Sequence, residues 1–278
     1  MKLATLRTDG TNSTTRAVAV DGDALVDLGS PDVGTFLATP GWSDRAAAAV
    51  RDENATRYDA ASADLATLIP APSKVVCVGL NYRTHIQEMG RDLPQYPTLF
   101  SKFREALTGP YDDVVVPGYA AAELDWEAEL AVVIGKAAYQ VSEADAADYI
   151  AGYSVINDYT MRDYQSRTLQ WDQGKTFEKT AGFGPFLVTD YALGTRIEAR
   201  LDGEVMQSAN TADLLFTPAA LVDYISHIVT LQPGDVIITG TTGGVGHARK
   251  PARHIRDGET VEVTVEGLGT VRNKTIVR

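Results

Sequence analysis

Glu127 and Glu129 stand two residues apart at the entrance to an apolar run, Glu123-Leu124-Asp125-Trp126-Glu127-Ala128-Glu129-Leu130 passing into Ala131-Val132-Val133-Ile134-Gly135. The β-branched part reads as a buried strand. Side chains two apart in a strand share a face, so the two carboxylates point the same way. Carboxylates that leave water side by side repel each other, and a divalent cation relieves both the repulsion and the desolvation. All-oxygen ligands suit Mg²⁺ or Mn²⁺, with Ca²⁺ admissible, and disfavour zinc. The same spacing also fits a solvated strand edge with scattered acids. Asp158 ends the apolar strand Gly152-Tyr153-Ser154-Val155-Ile156-Asn157 and offers a third carboxylate. Three such groups on strand ends can hold one Mg²⁺ with positions open for water and substrate. Asp158 fits equally well as a cap for the turn that follows. Glu123 and Asp125 share the parity of the two glutamates, which leaves supporting roles open to them outside the metal set.

His85 and Glu88 are three apart on a short helical segment and so share a face. A histidine oriented by a carboxylate is an acid/base catalyst at neutral pH, and the same spacing also describes a surface helix pair. Lys102 and Lys175 are candidate cations for a substrate carboxylate or a developing oxyanion, or else solvated lysines. His227, His247 and His254 lack a patterned carboxylate nearby and read as structural or solvated. Cys77, the one cysteine, lies inside Val75-Val76-Cys77-Val78 and reads as a core residue. Gly240-Thr241-Thr242-Gly243-Gly244-Val245-Gly246 has the spacing of neither a phosphate loop nor a dinucleotide fingerprint. It reads as a tight turn whose amides, with Thr241, approach a ligand.

The chain of 278 residues carries 25 basic against 37 acidic side chains, a net charge of −12, and 44% hydrophobic residues. This is an ordinary globular composition whose acidity argues against nucleic acid or an anionic membrane as partner. No apolar stretch reaches the length of a membrane span, and the N-terminus lacks the apolar core of a signal peptide, so the expected compartment is the cytoplasm.

The elements that must position these groups are mostly strands. Residues 1–70 read as a small β-rich unit with a hairpin at Arg16–Val20 and Ala24–Leu28 and a helix around Ala46–Val50. Pro70-Ala71-Pro72-Ser73 marks the boundary to a second unit, residues 71–278. There, strands are expected around Cys77, Phe100, Val132, Val155 and Leu187, and a helix start at Ser142. A hairpin turns at Asp202-Gly203, and a helix opens on Thr217-Pro218.

Several segments in order resemble the fumarylacetoacetate hydrolase superfamily. They are Val78-Gly79-Leu80-Asn81-Tyr82 leading to His85 and Glu88, Phe100 with Lys102, Glu127 to Gly135, and Asn157-Asp158 with Arg162-Asp163 and Gln165. Gly174-Lys175-Thr176-Phe177 and Leu231 to Ile237 running into Thr239-Gly240-Thr241 complete them. The nearest branch is that of acylpyruvate hydrolases and 2-hydroxyhepta-2,4-diene-1,7-dioate isomerases. The resemblance implies a mostly β (α+β) fold, with a rolled mixed-sheet catalytic domain behind a small β-rich N-terminal domain. It implies Mg²⁺ or Mn²⁺ on Glu127, Glu129 and Asp158. It also places His85 and Glu88 on a segment that orders over the substrate, Lys175 at the reacting oxygen, Gln165 and Thr241 against the substrate, and a homodimer. Two departures, Thr242-Gly243 where many relatives have proline and Thr176-Phe177-Glu178 where many have Ser-Phe-Asp, lie beside the substrate rather than on the metal.

The expected reaction is metal-dependent hydrolysis of a carbon–carbon bond in a β-diketo acid such as an acylpyruvate. His85 would take a proton from water, the water attack the distal carbonyl, and the leaving carbanion be stabilised as an enolate, with Lys175 offsetting the oxyanion. The alternatives are an isomerase or oxaloacetate decarboxylase on the same scaffold, and a catalytically silent binding protein that keeps the fold. On this reading Glu127→Ala abolishes metal binding without unfolding the chain, which calorimetry with Mg²⁺ checks.

Overall fold

A computed structural model describes residues 1–10, 14–88, 90 and 92–278, the side chain of Glu88 excepted. Its central strand is Ala128–Ile134, in which all seven residues are buried. From Leu130 onward it is an aliphatic run without polar alternation, which needs cover on both faces, and it has it. Ala131 and Val133 pack with Phe36 and Leu37 of the helix Val33–Leu37. Val132 and Ile134 pack with Leu221, Val222 and Ile225 of the helix Pro218–Ser226, which Thr217 caps as the sequence predicts. Leu130 joins Val155 in a core shared with Ile197, Ala199, Val263 and Val271.

The protein is mostly β. Ala128–Ile134 runs antiparallel to Ile150–Asn157 on one side and Val236–Thr241 on the other. Val75–Gly79 lies parallel to Val236–Thr241, so the sheet is mixed. A second, five-stranded sheet includes Arg196–Leu201, Thr260–Val265 and Gly269–Val277. The residues expected as a separate small unit continue the main twelve-stranded sheet: Lys2–Arg7 pairs antiparallel with Ala181–Val188. Leu3 and Ala4 are fully buried there and cover what would otherwise be an open strand edge. The proline-rich boundary therefore marks a change in sequence without a break in hydrogen bonding. The helix expected from Ser142 is only a 3₁₀ turn, Ala146–Tyr149, because Ile150 already pairs with Ile134. Among the described residues no helix is long and apolar enough to cross a membrane.

One irregularity matters for the site. Glu129 pairs with Thr241 but Ala131 with Ile238, so Val236–Thr241 carries an extra residue opposite Leu130. Gly240 adopts φ +95° in this bulge, and its amide donates to Glu129 Oε2. The hydroxyls of Thr239 and Thr241 donate to the carbonyls of Leu130 and Ala128, both at 3.0 Å, and tie the bulge down. Asn81, at the foot of the helix Arg83–Glu88, donates to the Thr239 carbonyl at 2.8 Å and accepts from Phe216 N at 2.7 Å. The segment that carries His85 is thereby fastened to the bulge that holds Glu129. A Cβ on Gly240 would sit 2.8 Å from the Val78 carbonyl and 3.0 Å from Asn81 Cβ, in a backbone region closed to L side chains. Gly240→Ala should lower stability by about 1–3 kcal/mol, read from the urea midpoint.

Candidate metal centre and active site

Beneath the bulge, six charged side chains alternate in sign. Asp125 Oδ2 meets Arg162 Nε at 2.8 Å, and Arg162 Nη2 meets Glu127 Oε1 at 2.8 Å. Glu127 Oε2 meets Lys175 Nζ at 2.7 Å, Lys175 Nζ meets Asp158 Oδ2 at 2.9 Å, and Asp158 Oδ1 meets Lys102 Nζ at 2.8 Å. The chain holds three acids and three bases, all buried. Glu129 stands beside it with no cation partner among the described residues, and the Gly240 amide on its Oε2.

The strand ends explain this convergence. Glu127 immediately precedes Ala128–Ile134, and Asp158 immediately follows Ile150–Asn157. Asp158 N donates to the Glu127 carbonyl at 2.9 Å, and Glu127 N donates to Asn157 Oδ1 at 3.1 Å. Gln207, from the second sheet, accepts from Ala128 N at 2.9 Å and donates to Thr241 Oγ1 at 2.8 Å. Lys175 follows the 3₁₀ turn Trp171–Gly174. Gly174 is required there, since a Cβ would lie 2.6 Å from Gln165 Cβ and from the Met161 carbonyl.

Burial and the negative charges of Asp158 and Glu127 push the Glu129 carboxyl well above the usual carboxylate range. Asp158 is equally buried, but the two lysines outweigh desolvation and hold its carboxyl below that range. Desolvation would lower Lys175, yet Asp158 and Glu127 outweigh it, so its ammonium keeps its proton at 1% exposure. Burial pushes the Cys77 thiol well up, which leaves it no nucleophilic role.

Ligand oxygens of Glu127, Glu129 and Asp158 lie within 4.8 Å of one another. Three convergent carboxylates, one lacking a counter-charge, fit a hard divalent cation. Glu127 and Glu129 face a cavity of about 470 Å³, lined also by His85, Arg162, Gln165, Trp171, Lys175, Thr241, Val245 and His247, while Asp158 lies behind them against Lys175. His85 is 9% exposed. Trp171 lies edge-on to Phe100, 5.5 Å between ring centroids, and closes against Gly79, where a Cβ would meet it at 2.4 Å.

The structure thus brings together Glu127, Glu129, Asp158, His85, Lys175, Gln165 and Thr241. The orienting role expected of the Glu88 side chain lies outside the described residues. Lys102, expected to bind substrate, does not line the cavity: its ammonium is enclosed by Asp158 and the Lys175 carbonyl, and it supports the floor from behind. His247, expected to be structural or solvated, lines the cavity. Asp125 and Gln207 are buried supports that no local spacing announces; only the strand parity of Asp125 hinted at one.

The family model described as "Fumarylacetoacetate (FAA) hydrolase C-terminal" matches residues 74–276. The mitochondrial oxaloacetate tautomerase Fahd2a of Rattus norvegicus is 41% identical over 213 residues, which is 75% of this chain and 68% of that protein. The structure of a 5-carboxymethyl-2-hydroxymuconate delta-isomerase from Mycobacterium smegmatis superposes with a TM-score of 0.81 at 31% identity, covering 100% of both chains. That of a maleylpyruvate hydrolase from Sphingobium sp. SYK-6, in complex with manganese(II) and pyruvate, gives a TM-score of 0.81 at 26% identity, covering 100% of this chain and 99% of the other.

The ion chain changes the choice of test variant. Glu127→Ala would take from Arg162 and from Lys175 one of their two opposite charges, and removing one member of a buried pair costs about 3–5 kcal/mol. Glu129→Gln leaves every pair intact and keeps an acceptor for Gly240. We expect this variant to be at least as stable as the parent without metal, by urea unfolding, and to bind Mn²⁺ at least about 100-fold more weakly by calorimetry.

Proposed function

Because the chain belongs to the fumarylacetoacetate hydrolase family, we propose that it is a divalent-metal-dependent enzyme that interconverts the keto and enol forms of a short 2-oxo dicarboxylic acid of the oxaloacetate class. The observation that carries this reading is a carboxylate triad with one unpaired member at the floor of a cavity that two of its glutamates, a protonated lysine and a buried histidine line. The preference for tautomerisation over the carbon–carbon cleavage expected from the sequence leans on the rat relative, at 41% identity.

Glu127, Glu129 and Asp158 would hold Mg²⁺ or Mn²⁺, which would supply Lewis acidity at the C1 carboxylate and C2 carbonyl of the acid. Charge supports this pairing. The ion chain is neutral and Glu129 adds one negative charge, so a divalent cation and the monoanionic 2-oxo end of a substrate together neutralise the floor. His85 takes a proton from C3, the C–H electron pair becomes the C2–C3 double bond, and the carbonyl π pair moves to the C2 oxygen. Lys175 offsets the charge that develops on that oxygen. A proton delivered there completes the enol, and the reverse sequence regenerates the ketone. Trp171 and Val245 supply apolar parts of the cavity lining.

Hydrolysis of an acylpyruvate is the second reading. A cavity of about 470 Å³ has room beyond a four-carbon acid, and the Sphingobium hydrolase structure contains manganese and pyruvate. In that case His85 deprotonates a water instead of C3. With Mn²⁺, the protein should speed the decay of the enol absorbance of oxaloacetate, chelation should abolish the effect, and His85→Ala should slow it about 10²–10⁴-fold. Release of pyruvate and acetate from acetylpyruvate, with oxaloacetate tautomerisation unaffected, replaces this reading by the second. Inactivity in both assays, and on a hydroxymuconate-type substrate as well, favours a binding protein that keeps the fold.

A further inference from the structure

Asp125 ends the ion chain, outside the metal triad, and its carboxylate is fully buried. Four N–H groups converge on it. Trp126 N at 2.9 Å and Gly246 N at 2.7 Å donate to Oδ1. His247 N at 2.9 Å and Arg162 Nε at 2.8 Å donate to Oδ2. Arg162, fixed at Nε, turns its two remaining nitrogens forward: Nη2 to Glu127 Oε1 at 2.8 Å and Nη1 to Gln165 Oε1 at 2.9 Å. The bonds to Gly246 and His247 hold the segment whose Val245, His247 and Ala248 form one wall of the cavity. Glycine is required at 246, where a Cβ would run into the Arg253 carbonyl oxygen and lie 2.8 Å from Asp125 Oδ1.

We propose that Asp125 is a positioning residue that sets two parts of the site at once. Through Arg162 it fixes the orientation of Glu127 on the metal side. Through the amides of Gly246 and His247 it fixes the substrate wall. The donors it serves come from three separate segments, around residues 126, 162 and 246, which no local turn would bring together. All of them are N–H groups, so only a ligand with two acceptor oxygens satisfies the set. An asparagine must turn its NH₂ either toward Arg162 Nε and the His247 amide or toward the Trp126 and Gly246 amides, and the donors on that side lose their acceptor. Groups that orient metal ligands from behind are worth 10–100-fold in metal affinity.

This inference rests on the metal reading of the triad, and the test separates the two. Mn²⁺ affinity is measured by calorimetry on the folded protein, and kcat and KM with oxaloacetate alongside. Asp125→Asn should bind Mn²⁺ about 10–100-fold more weakly and raise KM. Arg162→Lys keeps the charge but cannot bridge both carboxylates, so it should weaken Mn²⁺ in the same direction, and the double variant should lose less than the sum of the two. A folded Asp125→Asn protein with parental Mn²⁺ affinity and KM overturns the proposal, even if its unfolding midpoint has dropped. If Asp125→Asn does not fold, Arg162→Lys decides on the same Mn²⁺ readout. A parent protein that binds no Mn²⁺ at all overturns the metal reading instead.

Discussion

Six alternating charges buried under one cavity set the terms for the rest of the structure. A single buried ion pair is often no more stable than the apolar residues that could replace it. A chain changes the balance, because Arg162, Glu127, Lys175 and Asp158 each face two opposite charges and share the cost of leaving water. The arrangement keeps Lys175 protonated and Asp158 ionised at full burial. Glu129 remains outside it, and burial together with its neighbours makes its charged form unfavourable. A site of this kind is prepared for a cation that the polypeptide itself does not supply.

The sheet makes such a floor tolerable. From Leu130 onward the central strand is apolar and covered on both faces, so its polar groups emerge only at its entrance. A bulge at Gly240 turns one backbone amide out of the ladder and onto Glu129, and two threonine hydroxyls replace the lost regularity. Asn81 then links that bulge to the helix bearing His85. The segment bearing His85 and the carboxylate triad are held by one connected set of hydrogen bonds, which suits the proposed reaction, since it needs both at fixed separation.

The site was legible in the sequence as far as local periodicity reaches. The i, i+2 spacing put Glu127 and Glu129 on one face, and the acid closing the next strand was a third carboxylate by the same logic. Residue type and local pattern also put forward His85, Lys175 and Thr241, and the family resemblance added Gln165. What local spacing does not carry is partnership across the fold. Lys102 and Lys175 look alike as isolated lysines, yet one is sealed behind Asp158 and the other faces the cavity. His247 follows a glycine-rich turn and has no patterned acid beside it, but a hydrogen bond from its backbone to Asp125 brings it to the cavity wall. The same limit applies to the fold. The hairpin near the N-terminus was visible from its turn, whereas its continuation into the main sheet depends on the pairing of Lys2 with Val188, far along the chain.

The central claim is that a divalent cation at the triad and the 2-oxo end of a substrate bind as one neutralising unit. Oxalate, a planar dianion with two adjacent carboxylates, can probe this by calorimetry in the presence and absence of saturating Mn²⁺. The account predicts that Mn²⁺ strengthens oxalate binding at least about 100-fold and, by reciprocity, that oxalate strengthens Mn²⁺ binding by the same factor. Oxalate affinity that is the same with and without Mn²⁺ would contradict it.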